Sequence, residues 1–204
     1  MTMTASEISL FEVNLNSATR YLEYGTGGST KLAAKTNTLL SITSVESDPT
    51  YLSEHVIVDE SVAASARSRR LTFLIVNIGS TGKWGHPRDR SKAYLWPNYA
   101  LCPYLHGHRP DLILIDGRFR VACGIVAALH VPEATVLIHD YTNRPQYHVL
   151  EQFYDIERTV DTLVQCRRKA TINGLLARRL LKKYLYSPDD QNPFRVNQSR
   201  DTIG

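Results

Sequence analysis

The chain has 204 residues and a mass of 23.0 kDa, enough for one compact domain and too few for two full ones. Hydrophobic residues make up 43% and charged residues 22%, which excludes a disordered, collagen-like or low-complexity protein. The net charge of +4 is uneven: residues 1–60 carry eight acids against three bases, so the remaining chain carries +9.

The N-terminus, MTMTASEISLFEV, has neither a basic leader nor a long apolar core and does not read as a secretory signal. Residues 1–19 are expected to form an extension ahead of the domain. Short apolar runs then follow at Arg20–Tyr24, Leu39–Val45, Leu71–Ile78, Leu112–Ile115 and Thr135–Ile138. Their length and β-branched content predict strands buried on both faces. Helix-compatible stretches separate them at residues 29–36, 49–66, 88–105 and 119–129. That alternation predicts a doubly wound α/β domain with a mainly parallel sheet. Beyond it lie a predicted helix at residues 146–153, two strand pieces within residues 155–165, and a helix over residues 170–186. The polar tail from Pro188 is expected to fray, so the domain itself should span residues 1–187.

The longest apolar stretch, Val121–Val131, carries His130 and is too short to span a bilayer. The three cysteines, Cys102, Cys123 and Cys166, have no metal-type spacing. A cytoplasmic setting is the expectation. Cys166–Lys183 holds seven bases and no acid. Such a run attracts phosphate or nucleic acid, or simply forms a solvated helix face; no zinc-finger, RRM or homeodomain pattern points to specific nucleic-acid binding.

The most informative segment is Glu23-Tyr24-Gly25-Thr26-Gly27-Gly28-Ser29-Thr30. It follows a predicted strand and opens a predicted helix, where glycines permit a tight turn and free N–H groups face a ligand. Glu46 lies 21 residues after Gly25, the spacing at which an acid ending the second strand reaches ribose hydroxyls. The alternative is a tight turn plus a surface acid. A dinucleotide fingerprint requires glycine where Thr30 stands. An acid at Glu23 also suits a ligand with a cationic ammonium end and repels a pyrophosphate. Both points favour S-adenosylmethionine over NAD.

With Glu23-x-Gly25-x-Gly27, Glu46, Asp116-Gly117 and His139-Asp140-Tyr141 in that order, the chain from about Arg20 to Gln165 resembles the class I S-adenosylmethionine-dependent methyltransferases. Its motif style is similar to that of the small-molecule O-methyltransferases of the catechol and macrolide-sugar type. It departs from the family pattern at Ser29, where glycine is frequent, with Gly28 one place early. The resemblance implies a seven-stranded sheet with helices on both faces and an antiparallel last strand. It also implies cofactor binding by Glu23, Gly25, Thr26, Gly27, Gly28, Ser29, Glu46 and Ser47, with Thr30 contributing.

For the chemistry, the resemblance directs attention to Asp116, His139 and Asp140 at the ends of the fourth and fifth strands. In metal-dependent relatives, carboxylates at these ends help hold a divalent ion, so Asp116 and Asp140 are candidate ligands for magnesium or calcium, with Asn143 a third. The competing reading makes them turn and capping acids. His139 is either a general base or a buried structural histidine, and strand alternation need not point it the same way as Asp140. Tyr141 and His148 are lesser candidates. Trp84, in the glycine-rich loop Gly79–Pro87, either covers ligand as part of a lid or anchors an ordinary connection. Arg118, Arg120 and Arg144 are candidates for an anionic acceptor; alone, each also reads as a solvated arginine. The expected partner is thus a small-molecule acceptor. The aromatic cluster Tyr94, Trp96, Tyr99 and Tyr104 and the final helix leave a homodimer open. A non-catalytic nucleoside-binding or interaction module, and an NAD-dependent oxidoreductase, are the alternatives.

Overall fold

A computed structural model describes residues 3–188; the expected frayed tail lies outside them except for Pro188. The chain opens with α1 (Ala5–Ser17) and then runs β1 (Arg20–Tyr24), α2 (Gly28–Lys35), β2 (Ser41–Glu46), α3 (Pro49–Tyr51) and α4 (Glu60–Arg67). Next come β3 (Leu71–Ile75), α5 (Pro97–Leu105), β4 (Leu112–Ile115), α6 (Arg120–His130) and β5 (Thr135–Ile138). The hairpin β6 (Tyr154–Val160) and β7 (Leu163–Arg168) precedes α7 (Gly174–Tyr184). The sheet order is β3-β2-β1-β4-β5-β7-β6. Strands β1 to β5 pair in parallel, and β7 inserts between β5 and β6 antiparallel to both. This is the doubly wound, mostly parallel seven-stranded sheet expected from the sequence.

Period-2 geometry explains why the central strands are apolar at nearly every position. Leu22, Tyr24, Ile113, Ile115, Val136 and Ile138 face one core, which includes residues of α5 and α6. Tyr21, Ile42, Leu112, Leu114 and Leu137 face the other, shared with α1, α2 and α4. Helices therefore cover both faces.

The expected N-terminal extension carries α1, and four regions elsewhere depart from expectation. α1 is closed by a capping box between Thr4 and Glu7 and buries Leu10, Phe11 and Leu15 in the second core. The predicted helix at 49–66 is broken: α3 continues into a π-helical turn, Leu52–Val56, and α4 restarts where Asp59 caps the N–H groups of Ser61 and Val62. β3 ends at Ile75 rather than Ile78. The stretches at 88–105 and 146–153 contain 3-10 turns at Arg90–Leu95 and Pro145–Gln152, each interrupted or opened by proline, at Pro97 and Pro145 respectively. No helix among the described residues is long and apolar enough to cross a membrane.

Candidate active site

The carboxyl ends of β1, β2, β4 and β5 converge at the switch point between β1 and β4, where the strand order reverses. Open α/β sheets place their ligand crevice there. Gly25 turns the chain out of β1 in the left-handed region (φ 93°). A Cβ on Gly25 would stand 2.9 Å from the Cα of Gly117. The loops leaving β1 and β4 thus touch backbone to backbone, which only glycine permits.

Glu46 ends β2 beneath this turn. Its Oε2 accepts from the Thr26 N–H at 3.2 Å and the Thr26 hydroxyl at 2.5 Å. Its Oε1 accepts from the N–H groups of Ser47 at 2.6 Å and Asp48 at 2.9 Å. The acid is thereby locked against the glycine turn by bonds within the chain. The Tyr51 hydroxyl hangs over Gly27, 3.5 Å from where a Cβ would sit. Gly28 is the first residue of α2.

Glu23 does something other than expected. It is fully buried. Its oxygens accept from the hydroxyls of Ser29 (2.6 Å), Ser44 (2.7 Å), Tyr21 (3.0 Å) and Thr30. Burial pushes its carboxyl up, and the four hydroxyl bonds oppose that rise. Glu23 and Ser29 therefore bind each other inside the protein. Thr30 also accepts from the Gly27 N–H at 2.9 Å. The physical reason is register: Glu23 lies beside Ser44 across the β1–β2 pair, directly under the first turn of α2.

Asp116 and Asp140 belong to a continuous charge network. Nη2 of Arg120 lies 3.0 Å from Asp116 Oδ1 and 3.2 Å from Asp140 Oδ2. Arg144 Nη2 reaches the same Asp140 oxygen at 2.9 Å, and its Nη1 donates to the Tyr147 hydroxyl at 3.1 Å. His139 Nδ1 is 3.0 Å from Asp116 Oδ1, and its Nε2 is 3.4 Å from Glu7 Oε2. Glu7 is 1% exposed and also accepts from the Thr162 N–H (2.8 Å) and hydroxyl (2.6 Å).

Strand alternation does not separate His139 from Asp140, because β5 ends at Ile138. Asp140 adopts a left-handed backbone (φ 57°), which aspartate tolerates. This brings its Oδ1 to 4.0 Å from His139 Nδ1. Burial alone would lower the His139 pKa, but the hydrogen bond to Asp116 and the charges of Asp116 and Asp140 outweigh it and raise it. Burial alone would raise Asp116, but His139, Arg120 and Arg118 hold it below the usual carboxylate range. Glu7 is likewise held low against burial, first by Thr162. The carboxylates that face both its nitrogens fit the buried structural reading of His139.

The remaining candidates are spread out. The loop after β3 folds over the end of β2: Gly85 passes Ser47, with its Cβ position 3.4 Å from the Ser47 hydroxyl, and Thr81 donates to Asp48 at 3.3 Å. Trp84 is 70% exposed with a left-handed backbone (φ 62°), and Lys83 Nζ lies 5.7 Å from its ring centroid. Arg118 has a buried Nε without a partner. Arg144 is committed to Asp140 and Tyr147, and Asn143 is exposed. Tyr141 and His148 stack on one another at 4.9 Å. Trp96, Tyr99 and Tyr104 are core residues, whereas Tyr94 is exposed.

One participant escaped the sequence reading and another was read in a different role. Glu7 had a legible signal in Thr4-x-x-Glu7, a capping box ahead of an apolar run. Arg120, read as a ligand-binding arginine, stands four residues after Asp116, the spacing of a helical ion pair.

No family model matches the chain, and no curated protein matches it. Among solved structures it is similar to a methyltransferase-like protein from Silicibacter pomeroyi DSS-3, with 29% identity, 92% of this chain and 97% of that chain covered, and a TM-score of 0.80. More distant similarities include a methyltransferase yhhF of Escherichia coli, described as putative (11% identity, 84% and 89% covered, TM-score 0.49). Another is the N-methyltransferase NodS of Bradyrhizobium japonicum WM9 in complex with S-adenosyl-L-homocysteine (13%, 79% and 85%, 0.47).

Proposed function

We propose that this chain, whose fold is that of the class I S-adenosylmethionine-dependent methyltransferases, binds S-adenosylmethionine and methylates an oxygen of a small molecule. The observation that carries the reading is the placement of Glu46 against the Gly25–Gly28 turn at the switch point of the sheet. A carboxylate there accepts ribose hydroxyls, and the turn gives the ligand close access to backbone N–H groups. The residues suit the cofactor: Gly25 takes the left-handed backbone that turns the chain out of the strand, and Glu46 would exchange the Thr26 hydroxyl for a ribose one. Ser47 and Tyr51 lie beside the same carboxylate. When bound, the cofactor supplies an activated methyl for in-line displacement, so the protein chiefly aligns the acceptor.

Asp116 is the strand-end group best placed to orient an acceptor. Its side chain is 25% exposed. Held below the usual carboxylate range, it accepts a hydrogen bond but is a poor proton acceptor. His139 is engaged on both sides. These features favour an acceptor acidic enough to shed its own proton, such as a phenol, enol or carboxylic acid. Arg118, half-buried and close enough to lower the Asp116 pKa, is the arginine assigned to an anionic acceptor.

The test is calorimetric titration with S-adenosylhomocysteine beside NAD. Saturable binding of the former alone is expected. Glu46→Gln should weaken it by about 10- to 100-fold, the equivalent of hydrogen bonds to a charged group. A screen of phenols, enols and carboxylic acids with S-adenosylmethionine then identifies the acceptor. A second reading, a non-catalytic module on this fold, is favoured by one observation: both Glu46 oxygens already have partners within the chain. Binding of neither titrant would select it.

A further inference from the structure

Asp116, His139 and Asp140 each offer a ligand atom, and these atoms lie within 4.8 Å of one another. By distance alone they would suit a divalent ion, whose oxygen ligands sit at about 2.0–2.6 Å. The space between the two carboxylates, however, holds the guanidinium of Arg120. One nitrogen, Nη2, bonds to both acids at 3.0 and 3.2 Å and to the Asp116 carbonyl at 3.3 Å. Nε donates to the Gly117 carbonyl at 3.1 Å, and Nη1 donates to the His139 carbonyl. The side chain is 4% exposed. Two carboxylates thus face two guanidinium groups, Arg120 and Arg144, and no charge is left over for a dication.

The position of Arg120 is costly by every local rule. It is the first residue of α6, where the helix dipole disfavours a cation. It is buried, where an arginine requires full pairing. The residue before it, Phe119, takes a left-handed backbone (φ 54°). All of these costs are met by bonds converging on the two strand-end carboxylates and the carbonyls beside them.

We infer that Arg120 is a built-in cation standing where a divalent ion would otherwise bridge Asp116 and Asp140, and that the site therefore takes no metal. Arg120 is a positioning residue: it fixes both carboxylates. The inference concerns these residues alone and does not depend on the methyltransferase reading.

The experiment uses manganese(II) as the probe, with binding followed by calorimetry and by the rise in melting temperature that a bound ion produces. The wild-type chain should show no saturable site and no rise at millimolar manganese. Arg120→Ala should gain affinity at least tenfold and melt higher with manganese than without, and the gain should vanish in Arg120→Ala/Asp140→Asn. Arg120→Met, which keeps the packed stem, takes the place of Arg120→Ala where the latter lacks a cooperative melt. A merely structural arginine would leave the variants without manganese binding, and that outcome in a folded variant overturns the inference. So does saturable manganese binding by the wild-type chain that Asp140→Asn abolishes, a measurement that requires no folded arginine variant.

Discussion

Glu23 is read from sequence as a ligand group, and it proves to be the keystone of its own loop. Four hydroxyls point at its carboxylate in a site closed to water. Glu23→Ala would leave Ser29, Thr30, Ser44 and Tyr21 donors stranded, each at a desolvation cost of about 1–3 kcal/mol if it finds no substitute. We expect a loss of about 3–5 kcal/mol, seen as a lower urea midpoint with an unchanged slope; an unchanged midpoint would show that the hydroxyls rearrange at no cost. Gly25→Ala tests the neighbouring turn. A left-handed alanine costs about 1–3 kcal/mol, and its Cβ would stand 2.9 Å from Gly117 Cα, so the β1 and β4 loops must separate. S-adenosylhomocysteine affinity should fall along with stability.

Among the elements, α1 changes most between expectation and structure. Its hydrophobic face is legible in retrospect at Leu10, Phe11 and Leu15, and its cap at Thr4 and Glu7. Yet no local feature announces that Glu7 reaches through to His139. Thr4→Ala removes half of the capping box and the hydroxyl bond to Asp161. A cap is worth about 1 kcal/mol, so the melting temperature should drop by about 2–4 °C for a domain of this size, with faster amide exchange over residues 5–9. The other elements follow sequence more closely. β1, β4 and β5 fall where their apolar runs predict, because strands buried on both faces carry their signal in composition alone. The stretch at 49–66 does not, because the Asp59 cap starts a new helix within an otherwise continuous helical pattern.

At the scale of the molecule, the charge network ties α1, β4, α6 and β5 together and gives stability a definite pH dependence. Glu7 and Asp116 have lowered pKa values in the folded chain, from ordinary values of 4.5 and 3.8. Their contribution is complete above those ordinary values and is lost as pH falls through the lowered ones. His139 is raised from 6.5, so its contribution is complete below 6.5 and is lost as pH rises through the raised value. The network should therefore stabilise most between about pH 4.5 and 6.5. Calorimetric melting from pH 3 to 9 should show that plateau in the wild-type chain. His139→Asn should flatten the decline on its alkaline side; an undiminished decline would place its origin in another group.

Composition and period alone determined the α/β class, the five parallel strands, the glycine turn and the register of Glu46 behind it. Each of these depends on residues close in sequence or on a fixed strand–helix–strand length. The tertiary structure decided what the charged residues do. Glu7, Asp116, Arg120 and His139 are separated by up to 132 positions of chain, and only the order in which strands are laid into the sheet sets them side by side. A carboxylate has the same sequence signature whether it faces water, a ligand or four hydroxyl groups. Burial and partners, which follow from packing, are what distinguish the three.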